Sequence, residues 1–142
     1  METLQLIVLI LHVLVACLLV GMAFFVLMFV AKKVLTPGDV AGARKVSSYG
    51  IHLTGTQLLL GLALVGMEPD KFGRSPLVWT KLVLLIVAGV LAVVVVNRKL
   101  KVLAATGTDA RMEKTIRMAA VGLLVLLVVI VALGVIVTET TP

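Results

Sequence analysis

Long apolar runs and short polar segments alternate along the chain, and there are four such runs. Residues 3–31, 46–67, 82–97 and 118–138 contain no Asp, Glu, Lys or Arg. A helix rises about 1.5 Å per residue, so roughly 20 apolar residues cross the ~30 Å hydrocarbon layer of a bilayer. The pattern predicts four transmembrane helices near residues 4–31, 46–67, 77–97 and 116–138, in one domain that covers residues 1–142.

Composition supports a lipid environment for these runs. The chain is 61% hydrophobic and only 14% charged, which leaves too few polar residues to cover the surface of a soluble domain. Helices satisfy their own backbone hydrogen bonds within lipid. The predicted fold class is therefore all-α: a polytopic membrane protein built as a four-transmembrane-helix bundle. The first run follows Glu2 and exceeds a signal peptide in length, so we expect it to be retained.

The basic residues lie mainly in two of the polar segments. Residues 32–45 contain four of the thirteen Lys and Arg residues, and residues 98–117 contain six. The positive-inside tendency places these two loops in the cytoplasm and both termini outside, in a multi-pass protein of the cell (inner) membrane. The same charges can contact anionic lipid headgroups. No aromatic residues interleave them, so we expect the lipid bilayer, and no nucleic acid, as their partner.

Turn-forming residues divide the runs at the expected places. The segment 36–39 (TPGD) predicts the end of the first helix and, at Asp39, the start of the second. Ser75-Pro76 predicts the start of the third helix, because proline suits the first helical turn. The segment 106–109 (TGTD) predicts the break between the third and fourth helices.

Few polar side chains lie within the runs, and these are the candidates for chemistry because burying them costs free energy. They are His12, His52, Gln57 and Lys81. No carboxylate lies deep in any run, which disfavours a proton-coupled exporter and a site for a hydrated metal cation. The lone cysteine, Cys17, excludes an intrachain disulfide and is read as a packing residue.

Helical rise gives each candidate a depth. His12 lies roughly 12 Å and Lys81 roughly 6 Å from the same membrane boundary, so the two are expected to share a cavity. His52 lies roughly 22 Å from that boundary. This difference does not suit two axial ligands of one haem, but a single axial histidine is compatible with it.

Helical spacing also predicts which faces point into the bundle, because small residues allow close approach of membrane helices. One stripe is predicted on each helix. These are Gln5, His12, Ala16 and Ala23 on the first, Ser48, His52, Gly55, Thr56 and Ala63 on the second, Lys81, Ala88 and Ala92 on the third, and Thr115, Ala119 and Gly122 on the fourth.

A set of short matches follows the same order of helices. They are Leu11-His12-Val13, Gly21, Phe24-Phe25, Lys32-Lys33, Arg44-Lys45 and Trp79-Thr80-Lys81. In these features the chain resembles four-helix membrane proteins of the HemJ type, which oxidise protoporphyrinogen in haem synthesis, and their CopD-like relatives. The resemblance implies that His12 binds haem b, with its iron as the sole metal, and that Lys81 serves activity. His52 is a further candidate haem ligand.

Each candidate also has a structural interpretation. His12 can bond to a neighbouring carbonyl or to Gln5, and His52 can pack at a helix interface. Lys81 can extend toward the headgroups beside Trp79, and Gln57 can bond across helices.

Three functions follow from these interpretations. The first is a haem- or porphyrin-associated protein, with or without oxidoreductase activity. The second is a non-enzymatic accessory or assembly subunit of a larger membrane complex or a homo-oligomer, which the scarcity of polar core residues favours. The third is a small-solute transporter.

Overall fold

The computed structural model describes residues 2–32, 34–107 and 109–140, without the side chains of 137–140. The helices are α1 (Thr3–Val30), α2 (Pro37–Met67), a short α3 (Pro69–Phe72), α4 (Pro76–Val90), α5 (Arg98–Thr106) and α6 (Ala110–Thr140), with a π-helical segment, Leu91–Asn97, joining α4 to α5. Together α4, the π segment and α5 form one third long helix, Pro76–Thr106. No strand occurs among the described residues.

Four of these helices are long and apolar enough to cross a membrane: α1, α2, the third long helix and α6. Large Leu, Ile, Val and Phe side chains remain exposed along them, which suits contact with lipid. The predicted all-α four-helix transmembrane bundle is confirmed. At the end that carries the basic loops, here called the basic end, α2 and the third long helix extend well beyond the predicted spans.

The turn between α1 and α2 differs from the prediction at one point. The first helix ends at Val30, before the segment 36–39. Thr36 instead caps α2: its hydroxyl accepts from the amide of Asp39 at 3.2 Å, and the Asp39 carboxylate accepts from the amide of Thr36 at 3.0 Å. This capping box satisfies backbone groups that the start of a helix leaves open. Lys32 adds an ion pair to Asp39 at 2.7 Å.

The other two predicted turns agree with the structure, apart from Thr108, which lies outside the described residues. The third long helix begins at Pro76 after Ser75, and the indole nitrogen of Trp79 donates to the carbonyl of Gly73 at 2.8 Å. That helix ends at Thr106, where Gly107 adopts a φ of 87°, a conformation that glycine tolerates best.

The four long helices form a square arrangement. α1 packs against α2 and α6, and the third long helix packs against the same two neighbours. α1 and the third long helix therefore stand at diagonal corners. Side chains from these two corners meet only where they reach across the centre of the bundle.

Inward-facing residues recur at alternating intervals of three and four, the spacing typical of left-handed helix bundles. On α1, α2 and α6 the alternation is continuous. The series are Leu9, His12, Ala16, Leu19, Ala23, Val26 and Val30; Val40, Ala43, Ser47, Gly50, Thr54, Gln57, Gly61 and Leu64; and Glu113, Ile116, Ala120, Leu123, Leu127, Ile130 and Gly134.

The π segment shifts this spacing on the third long helix. Its last turn donates from the amide of Arg98 to the carbonyl of Val93, five residues back. A π turn accommodates one extra residue. The buried series consequently runs Ala88, Ala92, Val96, Leu100 and Leu103, with three successive intervals of four.

Two of the four predicted inward stripes are correct. Those of α1 and the third long helix face inward, since Ala23, Ala88 and Ala92 are buried. The stripe on α2 is wrong, because every one of its members, from Ser48 to Ala63, is exposed. The stripe on α6 is displaced by one residue: Ile116, Ala120 and Leu123 are buried instead.

The predicted inward stripe on α2 is wrong because a hydroxyl side chain can donate its hydrogen bond to a carbonyl of its own helix. The hydroxyl of Thr56 donates to the carbonyl of His52 at 3.2 Å. A threonine bonded in this way needs no partner inside the bundle and can face lipid. Thr115 on α6 does the same with the carbonyl of Arg111 at 3.0 Å.

Candidate functional site

Three polar side chains from three helices meet inside the bundle. Nε2 of His12 on α1 lies 3.2 Å from Nε2 of Gln57 on α2 and 3.4 Å from Nζ of Lys81 on α4. Gln57 is only 2% exposed, and His12 and Lys81 are half-buried. We call these three residues the polar cluster.

Small residues make room for the cluster. Gly61 of α2 faces the His12 ring, where an added Cβ would lie 3.5 Å from Cε1. Gly134 of α6 faces Lys81, where an added Cβ would lie 2.9 Å from Nζ. The position opposite the lysine therefore accepts the ammonium group only because it carries no side chain. All four long helices thus contribute to the site.

The hydrogen bonds of the cluster are incomplete. An ammonium group can only donate, so its contact with His12 uses the Nε2 lone pair and assigns the imidazole proton to Nδ1. That lone pair also faces the Gln57 amide nitrogen. Meanwhile His12 Nδ1 and Gln57 Oε1 are buried without a hydrogen-bond partner. Buried polar atoms normally find partners, so these two atoms leave the cluster short of hydrogen bonds.

The charge of Lys81 is not balanced within the protein. The ion pairs among described side chains involve Lys32, Lys71, Arg74 and Arg117, and none reaches Lys81. An ammonium ion removed from water without a counterion is costly, and the cost is greatest in a membrane interior. A bound anion would remove that cost.

The cluster lies at one wall of a cavity of about 260 Å³. This is slightly below the usual range for small-molecule pockets, ~300–1,000 Å³. Apart from the cluster the walls are almost wholly apolar, and Phe72 of the short α3 lines the cavity at the end away from the basic loops. The remaining lining residues are Leu9, Val13, Ala16, Cys17, Gly61, Leu64, Val65, Val78, Leu82, Leu85, Ile130, Val131, Gly134 and Val135.

The candidate residues from the sequence are thus brought together in part. His12 and Lys81 share this cavity. His52 is exposed on another face of α2 and does not line the cavity. Gln57 bonds across helices to His12. The sequence had suggested Gln5 as a partner of His12 instead. Cys17 is exposed at the cavity wall.

Haem coordination through His12 does not fit this arrangement. An axial histidine presents one ring nitrogen to the iron with a free lone pair. Here the Nε2 lone pair faces two donors, and Nδ1 is buried. Among the described residues there is also no group of three His, Cys, Asp or Glu that could hold a metal ion outside a haem. The site suits an anion better than a metal centre.

The fold and the cluster define a class: an integral membrane four-helix bundle with a His–Gln–Lys cluster beside an apolar cavity. Comparisons with protein-family models, with curated proteins and with solved structures give no match. The evidence on function is therefore the cavity and the side chains that line it.

Proposed function

We propose that this membrane protein binds an amphipathic ligand that carries a carboxylate. The observation that carries the proposal is the unbalanced ammonium group of Lys81 at the wall of an apolar cavity. The carboxylate pairs with Nζ of Lys81, a residue that lines the cavity. The apolar walls contact the body of the ligand.

The resemblance to HemJ-type proteins makes a porphyrin the first ligand to test, since porphyrins combine an apolar ring with propionate groups. In this proposal the porphyrin is a ligand held through its carboxylates. His12 positions the Lys81 ammonium group through the lone pair of Nε2, and iron coordination has no part.

A matched pair of ligands tests this directly. Protoporphyrin IX and its dimethyl ester share one ring system, but only the first carries carboxylates. Fluorescence titration of the protein in lipid nanodiscs is expected to show tighter binding of the free acid. A hydrogen bond to a charged group contributes about 1.5–3 kcal/mol, so Lys81→Met is expected to weaken acid binding roughly tenfold to a hundredfold.

Arg74→Met is the matched control, because Arg74 is a highly exposed cation at the same end of the bundle and does not line the cavity. This variant is expected to keep the preference for the acid. Equal binding of acid and ester by the unaltered protein would overturn the proposal. A visible Soret band that vanishes in His12→Ala would instead establish haem coordination.

A protein that binds neither porphyrin and co-purifies stoichiometrically with other membrane subunits would favour the accessory role. The exposed apolar faces of the helices are equally suited to lipid and to such subunits. Cross-linking in native membranes before detergent extraction distinguishes a homo-oligomer from a larger complex.

We also propose that the basic end faces the cytoplasm, with both termini and the segment 68–75 outside. The charge distribution supports this orientation. In a Cys17→Ser background, a membrane-impermeant maleimide added to intact cells is expected to label Arg74→Cys and to leave Lys114→Cys unlabelled until the cells are lysed. Labelling of Lys114→Cys in intact cells would reverse the orientation.

A further inference from the structure

The side chains that line the cavity differ in exposure from helix to helix. Every cavity residue on α2 and α4 is buried or half-buried, with Gln57 2% and Leu85 3% exposed. The exposed cavity residues all lie on α1 and α6, where Val13 is 52% and Val135 54% exposed. The cavity therefore opens between α1 and α6.

Buried packing closes this opening toward the basic end, and an aromatic side chain lines the cavity toward the other end. Toward the basic end, Leu19 and Ala23 of α1 pack with Leu123 and Leu127 of α6 in one buried cluster. Toward the other end, the half-buried Phe72 of α3 lines the cavity. The opening consequently faces sideways, at a level where both helices carry exposed apolar side chains.

We propose that this opening is a lateral portal, through which the ligand reaches the polar cluster from the lipid phase. The portal is formed by Val13 and Cys17 on one side and by Val131 and Val135 on the other. Its occupant is a membrane-dissolved amphiphile. The carboxylate binds Lys81, while the apolar part passes between α1 and α6 into the acyl chains. The identity of the occupant rests on the proposed function, but the direction of the portal does not.

The position of Lys81 supports this route. It is the sixth residue of α4, so it lies roughly 8 Å from the start of that helix. This depth is close to the level at which the carboxylate of a bilayer amphiphile resides, next to the headgroups. Such a ligand can move sideways into the cavity without carrying its charged group to the bilayer centre, where charge is most costly.

Cavity size agrees with partial enclosure. A volume of about 260 Å³ accommodates the carboxylate end and a limited apolar segment. A larger amphiphile has to project from it, and the side on which it projects is the lipid-facing one. An aqueous metabolite would gain little from such an opening, because its polar groups would meet exposed valines.

The native cysteine provides a direct test of the portal. Cys17 is the sole cysteine of the chain and is exposed at the portal. A nitroxide attached there in nanodiscs reports its surroundings by collision with lipid-soluble oxygen or with water-soluble Ni(II)-EDDA. High oxygen and low nickel accessibility is expected. Matching controls in a Cys17→Ser background are Val125→Cys on the exposed face of α6 and Arg74→Cys in the polar loop.

The result that would overturn the portal is nickel accessibility at Cys17 equal to that of the Arg74→Cys label, because the cavity would then open to water. This measurement needs no ligand. It therefore decides the direction of the opening even if protoporphyrin IX fails to bind and the proposed function fails with it.

Access can be tested by narrowing the portal. Val131→Trp places a large side chain at its edge, and Val125→Trp places the same side chain elsewhere on the exposed face of α6. Protoporphyrin IX delivered from vesicles is expected to associate at least about fivefold more slowly with Val131→Trp than with Val125→Trp, since a blocked route requires conformational opening. Val125→Trp is expected to keep the association rate and the acid-over-ester preference of the unaltered protein. Equal association rates would contradict access from lipid.

Discussion

The ammonium nitrogen of Lys81 lies 3.4 Å from Nε2 of His12, although the two residues stand on helices at diagonal corners of the bundle. Because Gln57 contacts the same ring nitrogen, one imidazole joins three helices. Changes in this contact are expected to affect ligand binding more than folding, since the cluster is incompletely bonded without a ligand.

Replacement of Gly134 by alanine tests the role of the lysine position. A Cβ at Gly134 would come within 2.9 Å of Lys81 Nζ, which is the flexible end of a side chain and can move. Gly134→Ala is expected to retain thermal stability in detergent and to weaken protoporphyrin IX binding about threefold to tenfold, as a displaced charge loses part of a ~1.5–3 kcal/mol bond.

Gly122→Ala is the matched control for that measurement. Gly122 lies on the same helix with no atom within 4 Å of an added Cβ. Both substitutions gain the same helix propensity, so the difference between them isolates the contact with Lys81. Unchanged affinity in Gly134→Ala would show that the position of the ammonium group does not matter.

Replacement of Gln57 by leucine separates stability from binding. The side chain is 2% exposed, and its Oε1 has no partner. Leucine has a similar size, removes a neutral hydrogen bond of about 0.5–1.5 kcal/mol and also removes an unsatisfied oxygen that costs about 1–3 kcal/mol. Gln57→Leu is therefore expected to unfold at an equal or higher temperature while binding protoporphyrin IX more weakly.

Gln5→Leu is the comparison variant, since Gln5 is a half-buried glutamine on α1 that does not line the cavity. It is expected to leave affinity unchanged. A marked loss of stability in Gln57→Leu would mean that Gln57 serves mainly to hold the helices together.

The helices and the meeting of His12 with Lys81 could be anticipated from sequence for a simple reason. Apolar run length fixes the spans, and helical rise places both residues near one boundary. The facing residue Gln57 could not be selected, because Ser, Thr and Gly occur on several sides of α2 and do not mark a single inward face. The alternation of three and four residues from Val40 to Leu64 is the signal that includes Gln57.

Two other features depend on packing that spacing alone does not reveal. Gly134 is one glycine among twelve, and its importance follows only from the lysine opposite it. The four consecutive valines at 93–96 give no sign of which one faces inward, so the extra residue of the π segment is visible only in the structure.

At the basic end of the bundle, Arg117 forms hydrogen bonds with carbonyls at and just after the C-terminus of α1. Its Nε donates to the carbonyl of Val30 at 2.6 Å, and its Nη2 donates to the carbonyl of Lys32. The Val30 carbonyl belongs to the last turn of α1, where carbonyls lack partners within the helix, so the guanidinium completes the helix end. Arg117→Met is expected to lower the free energy of unfolding by about 1.5–3 kcal/mol, measured by denaturation in mixed micelles.

Arg111→Met serves as the control for Arg117, because the Arg111 side chain is exposed one to two turns earlier on α6. Its effect is expected to stay within about 0.5 kcal/mol. Hydrogen exchange at the amide of Ala31, which bonds to Leu27, is expected to accelerate only in Arg117→Met. Equal destabilisation by both variants would attribute the effect to net charge.

Deletion of one residue tests whether the π segment absorbs a surplus residue. Removal of the exposed Val94 restores the regular alternation after Ala92, so that Val96, Leu100 and Leu103 still face inward on a continuous α-helix. The variant is expected to fold, with a modest loss of stability.

Removal of Val125, which is equally exposed on the regular α6, instead rotates every later residue by about 100° and displaces Leu127 and Ile130 from the core. We expect that variant to be unfolded or aggregated in size-exclusion chromatography. If both deletions are equally damaging, the π segment is required in itself, and its wider turn contributes more than register to the third long helix.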